Sequence, residues 1–188
     1  MTNVKYNARK TKHNGNVNTC NFADEVQAVC SMVSTDDFVQ SVTIQHGRVP
    51  SVVLYSKRQI DDVKAFCFNR TAGSVLGVDK TYNLGKIYVT VSVYRNLSLL
   101  RKGTNYPPIF FGPMFIHGNS DFDTFSTFFG QLSARFVDNS FADLRIGSDE
   151  EASIRKAVQH FFQGSQVIVC TRHLKENLIR NGHKVSAV

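Results

Sequence analysis

Residues 74–96 read SVLGVDKTYNLGKIYVTVSVYRN, and this stretch predicts two β-strands joined by a turn. The run SVLGVD (74–79) is short, apolar and β-branched, and TYNLG (81–85) contains turn-forming residues. In KIYVTVSVYRN (86–96), aromatic and hydroxyl side chains alternate with valines, which is the pattern of a strand with two different faces. Because only a tight glycine-containing link separates the two strands, we expect them to form an antiparallel hairpin.

The residues after the hairpin predict a third strand in PIFFGPMFIHG (108–118), where Pro113 indicates a bulge or an edge position. The phenylalanines of DFDTFSTFFGQLSARF (121–136) have helical spacing, so they are expected to lie in the core rather than to stack on bases. Strands and helices then alternate: DLRIGSD (143–149), EEASIRKAVQHFF (150–162), QVIVC (166–170) and TRHLKENLIRNG (171–182). The order β-β-β-α-β-α-β-α predicts an α/β fold with a five-stranded mixed sheet, in which the last two strands run parallel to the first.

Three regions are predicted along the chain. Residues 1–20 are polar and basic and are expected to be a disordered tail. Residues 21–70 are expected to be an extension with a helix, a strand at 51–55 and a second helix at 57–68, and residues 71–188 are expected to hold the sheet described above.

The formal net charge is +7, with a pI near 9.4, which favours a polyanionic partner such as nucleic acid. Four of these positive charges lie before residue 20, which leaves +3 on the rest, so a solvated basic tail is an equally good interpretation. The four cysteines form no Cys-x-x-Cys pair, and neither a signal peptide nor an apolar run of membrane-spanning length is found. We therefore expect an intracellular protein with free thiols and no membrane partner.

Asp79 and Asp149 each end an apolar strand, and they lie 70 positions apart (149 − 79). In the predicted sheet their strands are parallel neighbours, so the two carboxylates should lie a few ångströms apart and repel each other unless a cation lies between them. Such oxygen ligands suit Mg²⁺ or Mn²⁺. The alternative is that Asp79 forms a turn and that Asp149 caps the following helix.

Five stretches, taken in this order, resemble the MULE (Mutator-like element) transposase domain of the DDE, RNase H-like superfamily. They are GVDKTYNLG (77–85), PIFFGPMFIH (108–117), FSTFFGQL (125–132), IGSDEEASIRKAV (146–158) and VIVCTRHLKEN (168–177). The resemblance covers roughly residues 50 to 180 and implies an RNase H-like fold in 71–188, with Asp79 and Asp149 as the first two catalytic and metal-binding carboxylates. It also implies Mg²⁺ or Mn²⁺ as cofactor, DNA (transposon ends and target) as partner and a nuclear location, and it leaves homo-oligomerisation open.

The chain departs from the family pattern at its third acid, a glutamate on a later helix. The only acid after Cys170 is Glu176, which belongs to the helix of the Cys-x-x-His pair and is not assigned that role. Cys170 and His173 match the pair itself, but a structural zinc site needs four ligands and no spacing here supplies the other two. A half-buried cysteine followed by a histidine at a helix N-terminus is the simpler interpretation of the pair.

The resulting expectation is a C-terminally incomplete DNA transposase-like domain for metal-dependent phosphodiester cleavage and strand transfer, as a truncated or inactive piece. The alternatives are a non-catalytic nucleic-acid-binding or interaction module derived from a transposase, and an unrelated α/β domain. His117 and Asp121, at the end of the third strand, are either neighbours of the site or ordinary loop and cap residues. Phosphate contacts are assigned to three basic residues on the strength of their position alone: Lys80, Arg95 and Arg101.

Overall fold

The computed structural model of the protein describes residues 22–84, 87–149 and 151–169. The helices are α1 (Phe22–Thr35), α2 (Lys57–Cys67), α3 (Phe122–Arg135) and α4 (Ala152–Phe161), with a 3-10 turn at Phe141–Asp143. The strands are β1 (Val39–Thr43), β2 (Ser51–Leu54), β3 (Leu76–Leu84), β4 (Ile87–Arg95), β5 (Ile109–His117), β6 (Arg145–Ser148) and β7 (Gln166–Val169). No helix among these residues is long and apolar enough to cross a membrane.

The strands form one mixed sheet in the order β1-β2-β5-β4-β3-β6-β7. The predicted meander is confirmed, because β3, β4 and β5 are antiparallel neighbours. The two later strands are also placed as predicted, since β6 runs parallel to β3 and β7 parallel to β6. The expectation of five strands was wrong: within the described residues the sheet has seven, because β2 pairs with the outer edge of β5 and β1 pairs with β2.

Strand β3 is longer than predicted. The sequence suggested a turn from residue 81, but pairing with β4 continues through Tyr82 and Asn83 to Leu84. A register shift between Lys80 and Tyr82 gives β3 one extra residue there. Strand β3 therefore includes most of the turn-forming residues, because pairing with the long β4 outweighs their local preference.

Of the two alternatives predicted from Pro113, a bulge or an edge position, the structure has the bulge. Val91 pairs with Met114 and Val93 with Phe111, so β5 has one more residue than β4 in this interval. The hydroxyl of Ser92 donates a hydrogen bond of 2.7 Å to the carbonyl oxygen of Pro113, which satisfies a backbone group that the bulge removes from the ladder.

A single hydrophobic core lies between one face of the sheet and the helices α2, α3 and α4. Phe125, Phe128 and Phe129 of α3 are completely or almost completely buried there, as predicted, and Phe128 stacks on Phe115 of β5 with ring centroids 5.2 Å apart. The core prediction was wrong for Phe122, which is 38% exposed in the first turn of the helix. Full burial of one such side chain contributes about 1.5–3 kcal/mol. Helix α3 begins after Asp121, whose carboxylate accepts a hydrogen bond from the backbone N–H of Thr124, so Asp121 is the N-cap residue of this helix.

Candidate functional site

The candidate site lies at the carboxyl ends of the parallel neighbours β3 and β6. Three successive residues of β3 pair with three of β6 at a constant offset, and the last pair is Val78 with Ser148. The next residues on the two strands are Asp79 and Asp149. Since neighbouring strands are about 4.8 Å apart, the two aspartates start from adjacent positions at the same edge of the sheet.

Asp79 lies on the side of the sheet opposite the helical core. Val78 and Ser148 are each 3% exposed and lie on the face that α3 and α4 cover. Because successive residues of a strand alternate between faces, Asp79, Gly77 and Gly147 belong to the opposite face, and Asp149 is the first residue after β6. We call this side the distal face; Asp79 and Asp149 are both half-buried.

Asp149 also shapes the entry to α4. Its Oδ1 accepts a hydrogen bond of 3.1 Å from the backbone N–H of Glu151, as a turn-forming aspartate does. The carboxylate has a second oxygen and several lone pairs, so this contact is compatible with cation binding. Helix α4 begins at Ala152, and Glu151 is its N-cap residue.

An ion pair joins β3 to the start of α4 on the helical side of the sheet. Lys80 Nζ lies 2.7 Å from Glu151 Oε2, and the two side chains are only 23% and 19% exposed. Lys80 Nζ also donates to Ser120 Oγ at 3.0 Å and lies 5.1 Å from the ring centroid of Tyr88. The sequence offered Lys80 as a phosphate contact; the structure places its charge against Glu151, a tertiary pairing that no local pattern indicated.

His117 and Asp121 are not brought to the aspartate pair. Strands β4 and β3 lie between β5, which ends at His117, and β6. The imidazole is completely buried, and burial lowers the pKa of His117. Asp121 accepts from Thr124 and forms an ion pair with Arg48 at 2.9 Å, and these contacts lower the pKa of its carboxyl group. Both residues therefore have structural partners of their own.

A glycine lies two residues before each aspartate, and it was not among the residues predicted for the site. Gly77 and Gly147 are register partners, so the repeated Gly-x-Asp pattern places a glycine pair directly beside the aspartate pair. A Cβ atom at Gly77 would lie 2.9 Å from Val93 Cγ2, and one at Gly147 would lie 3.1 Å from Val75 Cγ1. The repeat of the pattern in GVD (77–79) and GSD (147–149) was the signal that could have revealed this pair.

The donor set suits a hydrated hard cation. Two carboxylates on adjacent strands match the way Mg²⁺ is commonly held, by one or two carboxylates with water completing its shell. Among the described residues, no group of three or more His, Cys, Asp or Glu side chains could hold a metal ion. Cys67 is a poor zinc ligand, since burial raises the pKa of its thiol to about 12. Cys170 and His173 lie outside the described residues.

Comparison of the chain with protein-family models, with curated proteins and with solved structures gives no significant match in any of the three.

Proposed function

We propose that this chain carries an RNase H-like domain of the MULE transposase type, which binds Mg²⁺ or Mn²⁺ through Asp79 and Asp149 and acts on the phosphodiester backbone of DNA. The observation that carries the proposal is the register of β3 and β6, which makes these two aspartates consecutive neighbours at one sheet edge. The carboxyl ends of parallel strands lie side by side at the same end of a sheet, and in open α/β sheets ligands bind at this end.

The topology gives independent support. The run β5-β4-β3-β6-β7 contains an antiparallel meander followed by two strands that run parallel to β3. This is the arrangement that the family resemblance implies for an RNase H-like sheet. In that arrangement Asp79 lies on the central strand and Asp149 at the end of the strand beside it, as the resemblance also implies.

The two carboxylates have a definite role in this proposal. They are held at adjacent strand positions by the β3–β6 ladder, and their mutual repulsion favours a cation between them. Lys80 neutralises Glu151, so the third nearby carboxylate does not add its charge to the pair. A divalent ion bound there would make a water or a 3′-hydroxyl group a stronger nucleophile and would stabilise the leaving oxygen.

A second candidate is a nucleic-acid-binding module of the same ancestry without catalysis. It is favoured by the composition of the site, because the family uses three acids and the described residues form no group of three or more His, Cys, Asp or Glu side chains. Under this proposal the domain binds DNA in the presence of a chelator, and substitution of Asp79 by asparagine leaves that binding unchanged.

The deciding experiment is a Mn²⁺ titration followed by electron paramagnetic resonance. We compare the wild type with Asp79→Asn and Asp149→Asn, since asparagine keeps the size of the side chain and the Oδ1 acceptor that Glu151 uses. Asp138→Asn, an exposed aspartate after α3, is the matched control. We expect both site variants to lose Mn²⁺ binding and the control to keep it.

Undiminished Mn²⁺ binding in either site variant contradicts a shared site at these two aspartates. Thermal unfolding of each variant shows whether a loss of binding comes from loss of the fold. Cleavage of an end-labelled DNA duplex with Mn²⁺ then separates the two candidates, because only the enzyme gives products that disappear in both site variants.

A further inference from the structure

The distal face of the sheet carries three successive rows of side chains across β4, β3 and β6. The register of the strands defines them, because Gly77 pairs with both Val93 and Gly147. Two residues after Gly77 on β3 lies the aspartate row. Two residues before Gly77, by the same register, lies a row with two arginines. From the carboxyl end of β3 toward its amino end, the three rows are Val91–Asp79–Asp149, Val93–Gly77–Gly147 and Arg95–Val75–Arg145. We call the first the aspartate row and the last the arginine row.

A cavity of about 460 Å³ lies over the arginine row and over the part of the middle row that β4 and β3 supply. Its lining includes Val75, Gly77 and Val93 together with both arginines, Arg95 and Arg145. The glycines of the middle row have no Cβ atom, and the valines fold over them in close contact. The surface between the arginine row and the aspartate row therefore has no charged group and no side chain larger than valine.

The charge of the arginine row lacks an acidic partner in the described part of the chain. Neither Arg95 nor Arg145 forms an ion pair there. The guanidinium of Arg145 donates to the carbonyl oxygen of Gly73, while its Nε is buried and has no hydrogen-bond partner among the described residues. A buried donor without a partner is costly, and a guanidinium group matches the oxygens of a phosphate.

We propose that this cavity binds a phosphate group of the same nucleic-acid strand that reaches Asp79 and Asp149, an inference that rests on the proposed function. Arg95 and Arg145 hold the phosphate, and the strand crosses the glycine row toward the carboxyl edge. The arginine row lies four residues from the aspartate row, or about 13 Å along β3, so the bound phosphate is near the reacting one in the chain but distinct from it.

The test measures binding of a fluorescein-labelled single-stranded DNA in EDTA by fluorescence anisotropy at several salt concentrations. The variants are Arg95→Gln and Arg145→Gln. The matched control is Arg155→Gln, which removes the same charge from the exposed side of α4, on the other side of the sheet. Arg95 is exposed, so its variant answers the question even if Arg145→Gln unfolds.

We expect each site variant to bind about tenfold more weakly. Loss of one phosphate contact should also lower the slope of log K against log salt by about 0.7. Equal affinities of Arg95→Gln and Arg155→Gln for the DNA overturn the proposal. So does a competition experiment in which polyglutamate displaces the labelled DNA as efficiently as unlabelled DNA does.

Mn²⁺ binding by the same variants separates this proposal from the one on which it rests. Arg95→Gln should bind Mn²⁺ as the wild type does, because the arginine is not a metal ligand. If the wild type binds no Mn²⁺ while Arg95→Gln binds DNA more weakly than the wild type does, the metal site is refuted and the phosphate site is retained. Metal binding at Asp79 and Asp149 without any role for the arginines would refute the phosphate site alone.

Discussion

The hydroxyl group of Thr90 lies 2.8 Å from Nε2 of His117, and both side chains are fully buried. The other ring nitrogen, Nδ1, lies 2.6 Å from the backbone oxygen of Asn119. A carbonyl oxygen can only accept, so Nδ1 carries the proton of the neutral ring and Nε2 accepts from Thr90. The two bonds connect β4, the end of β5 and the loop before α3 within the core.

Replacement of Thr90 by valine should destabilise the protein. Valine has nearly the same shape but cannot donate, so Nε2 of His117 would be buried without a partner, at a cost of about 1–3 kcal/mol in the free energy of unfolding. Urea denaturation measures the change. Thr127→Val is the control, because the Thr127 hydroxyl donates an exposed hydrogen bond to the carbonyl oxygen of Asp123 within α3 itself. Equal losses in the two variants would contradict the role given to the Thr90–His117 bond.

Stability should decrease as the pH falls from 7 toward 5. The pKa of His117 is lowered in the folded protein, chiefly by burial, so the unfolded chain takes up a proton first. The contribution of the neutral ring is therefore complete above the ordinary histidine pKa of about 6.5 and is progressively lost below it. The midpoint of thermal unfolding across this pH range should change less in His117→Phe than in the wild type. In His46→Gln, at an exposed position, the midpoint should change with pH as it does in the wild type. If the midpoint of His117→Phe changes with pH as much as in these two proteins, the pH dependence does not come from His117.

The Lys80–Glu151 pair should stabilise the fold more than a surface ion pair does. A double-mutant cycle with Lys80→Met and Glu151→Gln measures the coupling, which we expect to be about 1 kcal/mol or more because both groups are largely buried. The reference cycle uses Lys57 and Asp61 on α2, whose side chains are 89% and 53% exposed. There the coupling should be about 0.3–0.5 kcal/mol, and a value as large as that of the buried pair would be evidence against the prediction.

Alanine at Gly77 should be destabilising and should be rescued by a second change. The added Cβ would lie 2.9 Å from Val93 Cγ2, and such overpacking costs about 1–3 kcal/mol. Val93→Ala removes the opposing methyl groups, so the double variant should lose less stability than the sum of the two single variants. Additive losses in urea denaturation would mean that Gly77 is required for another reason.

Much of the fold follows from local patterns. The alternation in β4 predicts a two-faced strand, and the phenylalanine spacing of α3 predicts a buried helix face; both hold because side-chain burial dominates their energetics. Pro113 predicts the bulge, since proline cannot donate to the ladder. The proximity of Asp79 and Asp149 follows from strand order alone, because parallel neighbours bring equal strand ends together.

The rest depends on partners distant in the sequence. Only Val39 of β1 is well buried, so this edge strand has no strong alternating pattern and escaped prediction. The extension of β3 past residue 81 comes from pairing with β4, which its turn-forming residues do not indicate. The Lys80–Glu151 pair and the arginine row require the register of three strands, which no single segment specifies.

Asp79 and Lys80 are consecutive residues of β3, so they carry opposite charges to opposite faces of the sheet. A slip of β3 by one residue against β6 would exchange them. Lys80 would then lie beside Asp149 and form an ion pair where a cation is expected to bind, while the carboxylate of Asp79 would turn toward Glu151 and Ser120. The wrong register would thus bring two acids together beneath the helices. The repulsion between their carboxylates raises the free energy of the shifted pairing, so the charges of β3 themselves select the correct register against β6.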